Sequence, residues 1–435
     1  MGARTSVAMI RRILVLSLAL VCALVLALVL ALVLAPFPAS VRGGPSVTLE
    51  FWTISLQPFF NDYVNGLIAA YERSNPGMKV RWVDVQFAAV EQKLLAALAG
   101  GVPPDVVNLN TETTARLAER NALVDMDEAV PAQVRARYFE GLWRSGRVRG
   151  RTYALPWYVV PNVIAYNTAI YRRAGLNPSE PPQTEEEMIQ HARAIKDRAR
   201  VYGFMPNLDG VRLLHRFQEN GLPILSADGK RAVFNSSEHV RYLARYVDLL
   251  KEDYFPEDTL RRGYLGATER YSAGQLGMLI TGPQFLLRVK SDNPEVYAQT
   301  FVAAYPRGKG NTLHLATMTM AVPRSSRNVA AAVDFALFVT NDENQLAFSR
   351  QVVVFPSTRQ AAADPFFRRG GAGPEDVARK VAAADLPYAR DLSVIVPNAG
   401  DLFRVFREAV ESAFYGKRTP KDALDWVIRQ WNARL

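Results

Sequence analysis

Val47-Thr-Leu-Glu-Phe-Trp52 is rich in β-branched and aromatic residues and reads as a strand. Phe60, Val64, Leu67 and Tyr71 then recur at helical spacing, and Asn75-Pro76-Gly77 stops that helix. Val80 to Val85 predicts a second strand. Val90, Leu94 and Leu98 share one face of a second helix, which Gly100-Gly101 ends. Asp105-Val-Val-Asn-Leu109 is a short apolar run after Pro103-Pro104 and predicts a third strand. Strands alternating with helices are βα units, so the fold class is α/β with sheets covered by helices.

Further along, Thr184-Glu-Glu-Glu187 has the form of a capping box that starts a helix lined by Met188, Ala192 and Ile195. Val240, Leu243, Val247 and Leu250 mark another helix. Thr419-Pro420-Lys-Asp422 pairs an N-cap with proline at the first helical position. Leu424, Ile428, Trp431 and Leu435 form the apolar face that follows.

Ahead of the first strand, Ile13 to Leu34 is apolar except for Ser17, and arginines precede it. This is the pattern of an export signal, yet about 20 apolar residues also span a bilayer. Residues 1–42 are therefore read as a signal peptide or an N-terminal membrane anchor. In either case the remainder lies outside the cytoplasm, in the periplasm or at the cell surface.

At 435 residues the chain is long for one hydrophobic core. Its formal charge is +10; Arg4, Arg11, Arg12 and Arg42 lie in the leader, so the rest carries +6. That mild excess comes without a dense Lys/Arg tract, and no nucleic-acid partner is expected. Cys22, also in the leader, is the only cysteine, which excludes an intramolecular disulfide and thiolate metal sites. The four histidines lack metalloprotease spacing, and neither a phosphate loop nor a nucleophile elbow occurs. No cofactor, metal or catalytic residue is expected.

Binding chemistry is better represented. Sugar rings present apolar C–H faces that pack on aromatic planes, while their hydroxyls need Asn, Asp, Gln or Arg partners. Aromatics cluster where predicted strands meet loops, at Trp52, Trp157-Tyr158 and Phe285, and Trp157 with Asn162 and Trp52 with Gln57 have this mixture. Asn110 follows the third strand, where open α/β sheets place ligand contacts. Asp209 lies in the Asn207-Leu-Asp-Gly210 turn. The candidate ligand-binding residues are therefore Trp52, Gln57, Asn110, Trp157, Tyr158, Asp209, Gln284 and Phe285.

Several motifs, in order, resemble the bacterial extracellular solute-binding proteins of family 1, the maltose-binding-like receptors of ABC importers. They are Gly150-Arg-Thr-Tyr-Ala-Leu-Pro-Trp157, Ile164-Ala-Tyr-Asn167, Tyr171-Arg-Arg-Ala-Gly-Leu176 and Leu276-Gly-Met-Leu-Ile-Thr-Gly-Pro283. Ala321-Val-Pro323, Asn341-Asp-Glu-Asn-Gln345, Phe355-Pro356 and Gly416-Lys-Arg-Thr-Pro420 continue the series. Two places depart from the pattern: Gln284 stands where the family usually has tryptophan, and Thr312-Leu-His-Leu-Ala316 replaces a Gly-Gly.

The resemblance implies a two-lobed, periplasmic-binding-protein-like fold with discontinuous lobes and the ligand in the interlobe cleft. The first lobe is placed at residues 47–155 plus 307–345, the second at 157–305 plus 350–435, with the first crossover near Tyr153–Trp157. It also implies that lobe closure delivers a carbohydrate-like small solute to the importer's membrane permease subunits. Two other readings stay open: an exported carbohydrate-active enzyme such as a glycoside hydrolase, and a surface-anchored solute sensor.

Overall fold

The computed structural model describes residues 47–87, 89–208 and 211–435. The reading of residues 1–42 lies outside them. Among the described residues no helix is long and apolar enough to cross a membrane.

The chain opens as read: β1 (Val47–Ile54), α1 (Asn61–Ser74), β2 (Met78–Val85), α2 (Val90–Ala99), β3 (Val106–Asn110) and α3 (Thr111–Glu119). Val64, Leu67 and Tyr71 of α1 and Val90 and Leu94 of α2 are buried. β1 pairs in parallel with β2 and β3, so the C-terminal ends of all three point the same way. Three later strands extend this sheet: β4 (Leu155–Pro161), β9 (Leu313–Ala321) and β10 (Phe355–Pro356). Its order is β10–β4–β9–β3–β1–β2, and β11 (Ala389–Arg390) pairs with the start of β9.

A second sheet has the order β8–β5–β7–β6, from β5 (Val163–Asn167), β6 (Tyr202–Phe204), β7 (Leu276–Thr281) and β8 (Thr300–Ala304). Only Asn162 separates β4 of the large sheet from β5 of the small one. The sheet change thus falls just after the expected Tyr153–Trp157 crossover, and Trp157 belongs to the large sheet's core. Phe355-Pro356 likewise pairs with β4. β9 runs from one core to the other: Leu313 and Leu315 pack with the small sheet, Met320 and Val322 with the large one.

Helix ends follow their sequence signals with one difference. Thr184 accepts from the Glu187 N–H (3.1 Å), but Glu187 accepts from the Gln183 N–H (2.7 Å) rather than from its cap residue. At the last helix, Pro420–Asn432, Thr419 accepts from the Asp422 N–H (3.1 Å), and Leu424, Ile428 and Trp431 are buried. Thr419→Ala leaves that N–H without its partner and should cost about 1 kcal/mol, read as a lower urea midpoint at unchanged slope.

Candidate functional site

The parallel ends of β1, β2 and β3 build one wall. Asp84, next to last in β2, accepts from Thr53 Oγ1 (2.6 Å) and from the N–H groups of Leu56 (3.0 Å) and Gln57 (3.1 Å). These bonds fix the loop that carries Gln57, whose side chain is exposed. Beside them stands the half-buried Tyr158 of β4. Burial raises its phenol pKa, and the neighbouring Asp84 charge adds to the rise. The hydroxyl is therefore a neutral donor and acceptor throughout the physiological range.

Trp157 and Tyr158 share that region because β4 is bulged. Met318 of β9 opposes Tyr158 and Thr319 opposes Pro156, which leaves Trp157 as the extra residue. A bulge re-aims side chains that would otherwise alternate across the sheet. Both rings consequently reach Phe348: Trp157 stacks on it (5.2 Å, 11°) and Tyr158 meets it edge-on (5.3 Å, 64°). Trp157 is 1% exposed, and its Nε1–H has no hydrogen-bond partner.

A second wall comes from the end of β7. Thr281 Oγ1 lies 2.6 Å from the hydroxyl of Tyr264, which belongs to the helix Thr259–Ser272. Tyr264 meets Phe285 edge-on (6.3 Å, 64°). Its ring is 36% exposed although burial raises its phenol pKa, as expected of a side chain lining a cleft. Gln284 folds its amide over Gly282. A Cβ at Gly282 would collide with Gln284 Oε1 and with Val160 Cγ1 of β4, so glycine is required for this close approach. β4 therefore meets the segment after β7 at Val160, and Trp157 Nε1 and Gln284 Oε1 are both buried without a protein partner. In native proteins buried polar groups of this kind are met by water, an ion or a ligand, or hold strain.

Five of the eight sequence candidates fall at these two places: Gln57, Tyr158 and the buried Trp157 at the first, Gln284 and Phe285 at the second. Trp52 is instead buried between β1 and α2 with Val90 and Leu94, and its Nε1–H donates to Glu50 (2.5 Å). Asn110 uses its side-chain oxygen to cap α3, accepting from the Thr113 N–H (2.9 Å). Asp209 lies outside the described residues. Asp84, Tyr264 and Thr281 were missed. An aspartate inside a strand and a tyrosine inside a helix carry no local signal, because only the packing of distant segments sets what they meet.

Below the second wall is a buried ionic network. Arg216, in the helix Val211–Glu219, bonds Glu185 (3.1 Å) and Glu219 (3.0 Å). Glu185 also accepts from Tyr242 (2.6 Å), Tyr246 and Arg245 (2.9 Å). Burial opposes ionisation of Glu185, but Arg216 and Arg245 outweigh it and its pKa falls. At Glu219 burial wins and the pKa rises. Among the described residues no group of three or more His, Cys, Asp or Glu could hold a metal ion.

Residues 57–346 match the family model described as bacterial extracellular solute-binding protein. The sn-glycerol-3-phosphate-binding periplasmic protein UgpB of Escherichia coli K12 is 23% identical over 421 residues, covering 89% of this chain and 92% of that one. A periplasmic-binding protein from Synechococcus sp. MITs9220, solved in complex with zinc, is 31% identical with a TM-score of 0.81, covering 88% of this chain and 98% of that one. The GacH receptor of Streptomyces glaucescens, solved unliganded and with acarbose, has the same fold at 21% identity. Its TM-score is 0.75, covering 90% of this chain and 98% of that one.

Proposed function

We propose that this chain, which belongs to the bacterial extracellular solute-binding protein family, is the receptor of an ABC importer and closes its two lobes on a sugar or sugar-like solute. The observation that carries this reading is a polar and aromatic cluster at the end of each sheet, Gln57, Asp84 and Tyr158 (with the buried Trp157 against Tyr158) at one and Tyr264, Thr281, Gln284 and Phe285 at the other, brought together where Val160 meets Gly282. They combine aromatic rings with unsatisfied polar groups, the complement of a polyhydroxylated ring. Trp52 and Asn110, also candidates from the sequence, are engaged by Glu50 and by the Thr113 N–H. The lobe bounds expected from the sequence, 47–155 plus 307–345 and 157–305 plus 350–435, are kept with two changes: the first crossover moves to Asn162, so that residues 157–161 join the first lobe, and Phe355-Pro356 joins it through its pairing with β4. Residues 1–42 act as signal peptide or membrane anchor, which delivers the receptor outside the cytoplasmic membrane.

A solute touching both lobes favours the closed form by its differential affinity. Closure then presents a surface to the permease subunits. The named relatives are binding proteins rather than enzymes. They include one named for a phosphorylated polyol and one solved with acarbose, and the +6 charge of the exported part suits an anionic member of the class.

Calorimetric titration with neutral oligosaccharides, monosaccharides, polyols and their phosphates tests the reading. Binding to at least one is expected. Tyr158→Ala should weaken it about tenfold, the equivalent of ~1.4 kcal/mol. A folded protein that binds none of them would overturn the reading.

A further inference from the structure

Two histidines far apart in sequence form a stacked pair. His215 and His314 lie with ring centroids 4.0 Å apart and planes 28° apart, 3% and 4% exposed. Neither ring nitrogen of His215 has a hydrogen-bond partner. His314 Nδ1 accepts from the Leu392 N–H (3.2 Å), so its proton sits on Nε2. Gln218 holds the other side of the same residue, donating to the Leu392 carbonyl (2.8 Å).

Leu392 is the middle of a bridge between the lobes. Asp391 accepts from Thr111 Oγ1 (2.7 Å), and Ser393 Oγ donates to Glu112 (3.1 Å). Thr111 and Glu112 open α3, which follows β3 of the large sheet. The flanking Ala389, Val394 and Val396 pack in the small-sheet core. His314 stands at the start of β9, the strand that runs from one core to the other.

We propose that the His215–His314 pair is an acid-released latch on lobe closure: while both rings are neutral it pins residues 391–393 against the first lobe, and a proton on either ring frees them. The chemistry is direct. A proton on His314 Nδ1 turns the acceptor into a donor facing the Leu392 N–H. A charge on His215 adds repulsion across a 4.0 Å stack that already has Arg212 nearby. Among the described residues the charged groups around the pair each have a place in this balance. On the helix Val211–Glu219 these are Arg212, Arg216 and Glu219. Glu219 accepts from the His314 N–H (2.8 Å) while committed to Arg216. On β11 and the bridge they are Arg390 and Asp391, with Glu112 across the bridge. The nearer acids are thus already engaged by donors.

Both pKa values lie well below the ordinary histidine value. For His215 the causes are burial, then His314 and Arg212; for His314 they are burial, then Arg212. The sign follows. A form that exposes the rings takes protons near the ordinary value of about 6.5, whereas the latched form takes them only at lower pH. The latch is complete above that value and weakens as pH falls below it. A receptor outside the cytoplasmic membrane meets the pH of the medium, so solute would be held less tightly in acid.

The proposal rests on the solute-receptor reading for its consequence but not for its first test. Hydrogen exchange at Leu392, measured without solute and corrected for intrinsic rates, should be at least tenfold less protected at pH 5 than at pH 7.5. His215→Phe keeps a stacked ring, and His314→Asn keeps an acceptor near Nδ1. Either substitution should reduce the pH dependence, and the pair should abolish it. Equal protection at both pH values in the unsubstituted chain would overturn the latch, as would an unaltered pH dependence in either folded variant. For a solute found by titration, affinity should fall severalfold over the same interval and become flat in the variants. Exchange that responds to pH while affinity does not would sever the bridge from closure and leave the receptor reading intact.

Discussion

Replacing Arg216 with methionine should lower stability by about 3–5 kcal/mol, because it strips the shared counter-charge from two buried carboxylates. Glu185 would keep Arg245 and the hydroxyls of Tyr242 and Tyr246. Glu219, 2% exposed, would keep only the Tyr305 hydroxyl (3.0 Å) and the His314 N–H. A loss of this size is a large share of the ~5–15 kcal/mol that holds a typical folded domain together. It should appear as a lower urea midpoint at unchanged slope. The pH dependence identifies the cause. Without Arg216 the Glu219 carboxylate, whose pKa burial already raises, moves further above its unfolded value, so the native state gains that proton first on acidification and the deficit should shrink from pH 8 to pH 5. A cost below about 1 kcal/mol, or a deficit that grows in acid, would show that the network is not held by Arg216.

Trp157→Ala should cost a similar ~3–5 kcal/mol, since it empties a fully buried site stacked on Phe348. That loss would obscure any change in binding. Trp157→Phe separates the two roles. It keeps a ring against Phe348 and removes the unpartnered Nε1–H, so most of the stability should remain. If that N–H serves a solute hydroxyl, affinity should fall about tenfold, or ~1.4 kcal/mol. Stability retained with affinity unaltered would assign Trp157 to packing alone.

The βα units of residues 47–110 were legible because their periods change cleanly from two to 3.6 and their stops are Pro and Gly. The Thr419 cap was legible for the same local reason. Asn110 shows how a local signal can carry two meanings. Its place after β3 suggested a ligand contact, while Asn110-Thr-Glu-Thr113 equally encodes an N-cap, the role its oxygen fills. Trp52 had the right composition around it but the wrong face of its strand. The bulge that turns Trp157 and Tyr158 toward Phe348 arises from the pairing of β4 with β9, and no residue in either strand announces it. The His215–His314 stack is a still longer-range event. Four isolated histidines carry no spacing signal, and only the fold brings two of them together.

A crystal structure of the chain with a solute identified by calorimetry tests the central claim most directly. The solute should lie between the two sheets, with a ring face or apolar edge on Tyr158 or Tyr264 and hydroxyls on Gln284, Asp84 or Trp157 Nε1. A solute seated away from both walls would contradict it, for example in the surface cavity of about 380 Å³ lined by Arg137, Asp342, Arg359 and Gln360.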